Sequence, residues 1–185
     1  MLPYDGVDLD YSLEGKTAII TGGAAGIGNA TAKFFHDKKV NVVLADLNPK
    51  LEEIAKEIGD NTIAVIGNVC DREYPQKVIE AGVKAFGKID ILVNCAGIVA
   101  LDNAEKISAD DWNRTIDINL SACFFMAQAV GKYWIDNKIV GGSIVNMASQ
   151  AGVIALDKHV AYCAAKGGII AMTKVMAKEW GKFGK

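Results

Sequence analysis

The sequence has little of what disulfide-bonded and metal-stabilised proteins depend on. Its four cysteines are scattered with no Cys-x-x-Cys pair, and its two histidines lie far apart. Disulfide frameworks and structural zinc sites usually show clustered or regularly spaced ligands. The pattern therefore favours free thiols in a reducing compartment, and we expect a cytoplasmic protein that holds no metal.

The chain also lacks a charge imbalance and a long apolar run. A formal net charge of −2 gives no electrostatic argument for binding nucleic acid or an anionic membrane surface. Inspection finds no run of about 18 apolar residues, so we expect no membrane-spanning segment. The first dozen residues carry acids where a signal peptide would need an apolar core. We expect the partner to be a small-molecule alcohol or ketone, with no nucleic acid and no membrane.

Prolines are few, and neither repeats nor low-complexity stretches interrupt the chain. With 185 residues, 51% of them hydrophobic and only three prolines, the chain suits one domain with a sizeable core. We predict a polar arm over residues 1–14 and a single dinucleotide-binding domain over residues 15–185.

Short apolar runs alternate with amphipathic segments along this domain. Strands are predicted at 16–21, 40–45, 62–66, 89–93 and 143–148. Helices are predicted at 27–37, 51–58, 71–86, from 108 or 110 to 137, and 160–180. This alternation predicts right-handed crossovers and a parallel sheet covered on both faces, which is the doubly wound α/β Rossmann fold.

Two helices carry more specific predictions. In the first, the apolar spacing predicts an inner face made by Ile27, Ala30, Thr31, Phe34 and Phe35. In the third, Asp71 is predicted to cap the N-terminus.

A glycine-rich turn joins the first predicted strand to its helix. Gly22, Gly26 and Gly28 would let backbone N–H groups approach a pyrophosphate at the positive end of that helix. The spacing Gly-x-x-x-Gly-x-Gly differs from the usual Gly-x-Gly-x-x-Gly, and a simple turn is the alternative. The position between strand and helix favours a dinucleotide site, with Ile27 beside the phosphates.

Asp46 ends the second predicted strand. An acid at this place binds the ribose hydroxyls of the adenosine half of NAD. Its charge would repel the 2′-phosphate of NADP, and neither Ala25 nor the neighbouring cofactor-site candidate Leu47 offers a cation. The sequence thus favours NAD over NADP. The alternative is that Asp46 only caps the turn before Pro49.

A tyrosine and a lysine mark the last predicted helix. Tyr162 and Lys166 are four residues apart, so both side chains leave one helix face. A free tyrosine titrates near pH ~10, and a neighbouring ammonium favours its phenolate form. Ser149 follows the fifth strand, at the sheet edge where α/β folds bind ligands. These residues are candidates for a proton-transfer site, although such a pair also arises by chance on solvated helices.

Four motifs, in chain order, resemble those of the short-chain dehydrogenase/reductase family. They are the run from Thr21 to Gly28, the run Asn94-Cys95-Ala96-Gly97, Asn119, and Ser149 followed by Tyr162-x-x-x-Lys166. The resemblance covers nearly the whole chain from about Leu13. It implies an NAD(P)-dependent enzyme that interconverts a secondary alcohol and a ketone by hydride transfer.

The resemblance also implies catalytic roles. Tyr162 would be the general acid and base, and Ser149 would polarise the substrate oxygen. Lys166 would favour the phenolate and, with Tyr162, contact the nicotinamide ribose. Asn119 would stabilise a kink in its long helix and hold a water of a proton relay.

Further cofactor contacts follow from the resemblance. Asn94, Ala96 and Gly97 would line the cofactor, and Asn94 would also support the central strand. Asn68 and Val69 stand where the family usually has Asp-Val against adenine. Asn68 keeps the hydrogen-bonding shape of the aspartate but loses its charge.

The substrate is suggested by the stretch from Ser149 to Tyr162, which resembles members acting on polyols and sugars. Gln150, Asp157 and His159 could bind hydroxyl groups, or could be loop surface. A 3-oxoacyl-type carbonyl reductase is the alternative enzyme, although it would normally prefer NADP.

The chain ends at residues 181–185, where members of the family usually continue with a further strand and a substrate-covering helix. We therefore expect one exposed edge on the fifth strand. Two hypotheses follow: a fragment of a working dehydrogenase, or a nucleotide-binding module without turnover. The resemblance further implies a homotetramer or homodimer that pairs through helices 110–137 and 160–180, where Phe124, Phe125, Met126, Tyr133 and Trp134 are core or interface.

Overall fold

The computed structural model describes residues 12–183. Most of the predicted arm over 1–14 therefore lies outside the described residues. The rest forms five strands and six helices: β1 (Thr17–Thr21), α1 (Gly26–Asp37), β2 (Asn41–Asp46), α2 (Leu51–Ile58), β3 (Thr62–Ile66), α3 (Tyr74–Phe86), β4 (Ile91–Asn94), α4 (Ala109–Ile116), α5 (Ala122–Asp136), β5 (Ser143–Asn146) and α6 (Val160–Trp180). A π-helical turn (Asp117–Ser121) joins α4 to α5, and 3₁₀ turns cover Gln150–Gly152 and Gly181–Phe183.

The five strands form one parallel sheet in the order β3-β2-β1-β4-β5. Thr21 pairs with Ala45 on one side and with Asn94 on the other, and Asn94 pairs with Asn146. The carboxyl ends of these four strands therefore meet at one edge of the sheet. The order reverses between β1 and β4, which is where doubly wound sheets bind ligands. The predicted fold is confirmed.

Both faces of the sheet are covered, and β1 is buried along its whole length. One cluster joins Ile19 and Leu92 to residues of α3, α5 and α6, among them the fully buried Trp134. The opposite cluster joins Ala18 and Ile20 to α1 and α2. Burial on both faces explains the near-continuous apolar strands that the sequence shows.

The predicted inner face of α1 is only partly correct: Phe35 packs against a core cluster, but other members of the predicted face are exposed. Ile27 and Phe34 are 62% and 55% exposed, whereas Gly28 and Ala32 are buried. The helix turns its smallest residues to the sheet because its first turn packs against the backbone of the glycine loop. A side chain at Gly28 would collide with the carbonyl of Gly22.

The starts of α3 and α4 and the π-helical turn bear on the remaining helix predictions. The third helix begins at Tyr74, and Asp71 instead accepts the Glu73 N–H at 3.0 Å in a turn before it. Ser108 caps α4, because its Oγ accepts the Asp111 N–H at 3.0 Å. The predicted long helix is confirmed over residues 109–136, with the π-helical turn as an irregularity within it between α4 and α5.

The outermost strand beside β4 is β5, whose Ser143 is exposed and whose Val145 is 46% exposed. The prediction of an exposed edge is therefore confirmed. Within the described residues, the segment Val160–Phe183 is long and apolar enough to cross a membrane by length and composition, with 28% of its window buried. Ala165 and Ile169 of α6 are buried inside the protein.

Candidate active site

The glycine loop lies at the carboxyl end of β1. Gly22 and Gly26 adopt positive φ angles of 67° and 54°, which side-chain-bearing residues rarely do. Gly22 N–H donates to the Ala45 carbonyl at 2.9 Å, which ties the loop to β2. The residue before α1, Ala25, is extended and, within the described chain, no side chain caps this helix. The first N–H groups of α1 therefore remain available to an anion.

Asp46 connects the loops that follow β1 and β2. One carboxylate oxygen accepts the Ala24 N–H and the other accepts the Asn48 N–H, both at 3.0 Å. Asp46 therefore does cap the turn before Pro49, but each carboxylate oxygen keeps a lone pair for a ligand. Leu47, directly after it, is 66% exposed at the same edge.

Asn68 and Val69 follow β3. The Asn68 side chain accepts the Cys70 N–H at 3.0 Å, and Val69 packs half-buried against a core cluster. Val69 is thus used in packing, whereas the exposed Asn68 side chain keeps its Nδ2 donors for a ligand.

The run from Asn94 to Gly97 is held by a residue that the sequence reasoning missed. Thr21 Oγ1 accepts the N–H groups of Cys95 at 3.1 Å and Ala96 at 3.2 Å. The signal was a hydroxyl residue at the end of β1, directly before the glycine loop. The buried Asn94 side chain instead donates to the Asn146 side chain at 2.9 Å, which ties β4 to β5.

A cavity of about 500 Å³ opens beside these loops. Its wall includes Gly97, Asn119, His159, Tyr162 and Lys166, which come from three separate parts of the sequence. Ile27, exposed at the start of α1, also lines it. The structure thus brings the end of the glycine loop, the π-helical turn and the start of α6 together around one space.

Tyr162 and Lys166 lie one turn apart on α6, as predicted. Lys166 Nζ is 5.5 Å from the centre of the Tyr162 ring and donates to the Met147 carbonyl at 2.6 Å. Lys166 is only 5% exposed, and this burial lowers its pKa from the ordinary value. The hydrogen bond to the Met147 carbonyl fixes this amine beside the phenol ring.

Asn119 lies in the π-helical turn. Its Nδ2 donates to the carbonyls of Ile98 at 2.8 Å and Thr115 at 2.9 Å. Its Oδ1 is buried and has no hydrogen-bond partner among residues 12–183. A Cβ placed on Gly97 would lie 2.6 Å from that oxygen. The turn therefore presents a free acceptor beside the cavity, and π-helical turns are frequent at functional sites.

Ser149 is not part of the cavity wall as the structure places it. It follows Ala148, which lines the cavity, and its Oγ accepts the Ala151 N–H at 3.1 Å. The hydroxyl proton and a second lone pair remain for a ligand. Of the three residues suggested for substrate hydroxyls, His159 lines the cavity, whereas Gln150 and Asp157 are exposed.

Comparison with known families identifies the protein family to which this chain belongs. The sequence model of the family described as short chain dehydrogenase matches residues 16–184. The chain is a member of the short-chain dehydrogenase family. Its order of motifs, the parallel sheet and the paired Tyr162 and Lys166 all agree with this assignment.

Similar proteins include enzymes named for polyols. The chain is 43% identical to an NAD-dependent glycerol dehydrogenase of Listeria innocua serovar 6a, over 98% of this chain and 71% of that protein. It is 46% identical to a D-threitol dehydrogenase of Mycolicibacterium smegmatis, over 96% of this chain and 69% of that protein. The crystal structure of a short chain dehydrogenase from Bacillus anthracis superposes with a TM-score of 0.88 at 38% identity, covering 92% of this chain and 70% of that one. This short-chain dehydrogenase therefore resembles the polyol dehydrogenases.

A short-chain dehydrogenase is an oxidoreductase that acts on CH–OH groups with a nicotinamide cofactor, and the residues of this chain fit such a group. The uncapped start of α1 offers free N–H groups, and a Cβ built on Gly26 would meet no atom within 4 Å, which leaves space for a pyrophosphate. The Asp46 carboxylate has lone pairs for ribose hydroxyls. No group of three His, Cys, Asp or Glu side chains in residues 12–183 could hold a metal ion, and the metal-free expectation stays a prediction.

Proposed function

We propose that this enzyme is an NAD-dependent dehydrogenase that interconverts a secondary alcohol and a ketone on a polyol or sugar. The observation that carries the proposal is the position of Tyr162 and Lys166 on the wall of one cavity, beside Gly97 and Asn119. That cavity adjoins the loops at the carboxyl edge of the sheet, where a dinucleotide binds in this fold.

The chain's own part in the reaction is the transfer of one proton. Oxidation of an alcohol removes a hydride from carbon and a proton from oxygen, and the nicotinamide cofactor, when bound, accepts the hydride. The Tyr162 phenolate oxygen takes the proton and returns it to the substrate oxygen in the reverse reaction. Lys166, fixed on the Met147 carbonyl, lies beside the Tyr162 ring and would attract negative charge that develops on the reacting oxygens. Ser149, which lies next to the cavity wall, binds the reacting oxygen of the substrate through its hydroxyl.

The charge of Asp46 supports NAD rather than NADP. The carboxylate lies beside the Ala24 N–H of the glycine loop and would face the adenosine ribose. A 2′-phosphate at that position would meet a like charge. The name of the Listeria relative, which is NAD-dependent, agrees with this choice.

The polyol assignment, the location and the assembly are further proposals. The two relatives are named for glycerol and D-threitol, and a cavity of about 500 Å³ suits a small polyhydroxy compound. Four free thiols support a cytoplasmic location. We propose assembly as a homodimer or homotetramer through α5 and α6. Met126 and Trp134 are core, and the half-buried Phe124 and Tyr133 also pack against the core, which leaves the half-buried Phe125 for an interface. Sedimentation of the purified chain would test the assembly.

Replacement of Tyr162 by phenylalanine tests the catalytic assignment. We expect turnover of a polyol with NAD to fall by about 10²–10⁴-fold, because a positioned proton carrier contributes that much. The NADH dissociation constant, measured by fluorescence, should stay within about twofold, since only one oxygen is removed. Tyr133→Phe is the matched control, because Tyr133 lies on α5 against the core. Wild-type turnover in Tyr162→Phe would refute the assignment.

A further inference from the structure

His159 is a polar residue on the cavity wall that the proton transfer does not use. It directly precedes α6, three residues before Tyr162, and both side chains line the same cavity. Their ring centres are 6.2 Å apart and the ring planes meet at 66°. A substrate whose hydroxyl reaches Tyr162 therefore passes close to this imidazole.

The hydrogen bonding of His159 determines which ring nitrogen a ligand can use. Its Nδ1 lies 2.6 Å from the Asp157 carbonyl oxygen. A carbonyl oxygen can only accept, so Nδ1 carries the proton in this contact. In the neutral ring Nε2 is then an acceptor with a free lone pair. Such a group suits a hydroxyl donor.

The backbone before His159 is held in an unusual conformation. Lys158 has a φ angle of 65°, which residues other than glycine seldom adopt. The Asp102 N–H donates to the Lys158 carbonyl at 3.1 Å, and the His159 N–H donates to Leu156 at 3.2 Å. A loop from a distant part of the chain thus maintains the strained residue. Because Lys158 directly precedes His159, this backbone conformation and its hydrogen bond to Asp102 help to set where the imidazole stands.

We propose that His159 Nε2 accepts a hydrogen bond from the substrate hydroxyl next to the one that Tyr162 deprotonates. The enzyme then selects vicinal diols over alcohols with a single hydroxyl. This inference rests on the proposed function, and it deepens that function by naming the chemical feature that the substrate must carry.

A pair of matched alcohols tests the selection. The compounds 2,3-butanediol and 2-butanol share a carbon skeleton and differ by one hydroxyl. In His159→Phe, which keeps an aromatic ring beside Tyr162 but has no acceptor, kcat/KM for the diol should fall about tenfold, the effect of one neutral hydrogen bond. The value for 2-butanol should stay within about twofold. His159→Gln, whose side-chain oxygen can accept, should recover part of the loss.

Two results would overturn the proposal. They are an equal loss for both alcohols, which indicates a structural role, and no loss for the diol. NADH fluorescence and a thermal melt on each variant establish that the site is folded. If His159→Phe is unstable, the comparison of His159→Gln with His159→Leu replaces it.

Calorimetric binding of 2,3-butanediol to the NADH-loaded chain separates this inference from the proposed function. A chain that turns over neither of these alcohols, nor glycerol or D-threitol, refutes the proposed function. The inference still predicts diol binding that weakens about tenfold in His159→Phe. Diol binding that is absent, or that is unchanged by the substitution, overturns the inference whatever the turnover.

Discussion

Replacement of Asp46 by alanine should reduce the preference for NADH over NADPH that we propose for this enzyme. The carboxylate is half-buried at the end of β2 and accepts N–H groups from Ala24 and Asn48, both at 3.0 Å. These contacts fix it at the place where the cofactor ribose would lie. The substitution removes the acceptors for the ribose hydroxyls of NADH and the charge that opposes the 2′-phosphate of NADPH.

The expected size follows from these two effects. Loss of hydrogen bonds to a charged acceptor weakens NADH binding by about 1.5–3 kcal/mol. Removal of a like charge near the 2′-phosphate strengthens NADPH binding by roughly 1 kcal/mol, because solvent screens a half-exposed pair. The ratio of the two dissociation constants should therefore change by about 2.5–4 kcal/mol, which is roughly two to three orders of magnitude.

The ratio of the two dissociation constants is the proper quantity to measure, because Asp46 also stabilises the folded protein. Alanine leaves the Ala24 and Asn48 N–H groups without their partner, which should lower the free energy of unfolding by about 1–3 kcal/mol. Loss of these contacts also loosens the loops and so weakens the binding of both cofactors together. Asp46→Asn keeps one acceptor oxygen without the charge and should show a smaller structural effect. Asp60→Ala, an exposed acid just before β3 at the opposite end of the sheet, is the charge-matched control.

Fluorescence titration with NADH and NADPH in parallel measures both constants on the same preparation. The wild type should bind NADH more tightly, and Asp60→Ala should leave the ratio within about twofold. The reasoning is refuted if Asp46→Ala and the wild type give the same ratio while both remain folded. In that case the carboxylate would serve the turn alone.

Two further predictions concern the loop and the core. Gly28→Ala should abolish binding of NADH and NADPH alike, because its Cβ would collide with the Gly22 carbonyl. Gly181→Ala, whose Cβ meets no atom within 4 Å, should leave the binding of both cofactors unchanged, and full NADH affinity in Gly28→Ala would contradict the packing described here. Burial raises the pKa of Cys123 from the ordinary value of 9.0 to about 12, so the folded thiol keeps a proton that the unfolded chain releases. In urea unfolding from pH ~8 to ~11, the free energy of unfolding should therefore fall as pH rises above ~9, by up to about 1.4 kcal/mol per pH unit from this group. A Cys123→Ala variant with the same pH dependence would exclude this thiol as the source.

The sequence alone was sufficient for features that depend on local spacing. The alternation of apolar runs predicted the parallel sheet, and the bounds of α6 agree with the prediction at both ends. Tyr162 and Lys166 could be paired because a separation of four residues fixes a shared helix face. The places of the glycine loop and Asp46 followed from the order of strand and helix, since parallel strands all end at one edge.

Contacts between distant segments were decided only by the tertiary structure. Thr21 holds the Cys95 and Ala96 N–H groups because β1 and β4 are in a particular register. Lys166 reaches the Met147 carbonyl because α6 packs beside the end of β5. Spacing could not show these contacts, because each joins residues whose approach depends on how complete elements pack.

The same limit explains the errors. The apolar stripe of α1 was chosen by hydrophobicity, and it is correct at Phe35 but wrong at the start of the helix. There Gly28 faces inward, because close contact with the Gly22 carbonyl leaves no room for a side chain. The free oxygen of Asn119 also depends on tertiary structure, since the π-helical turn directs its Nδ2 to Ile98 in a separate loop. The sequence determined the fold and the kinds of residues at the site, and packing between elements decided which of their atoms are free to act.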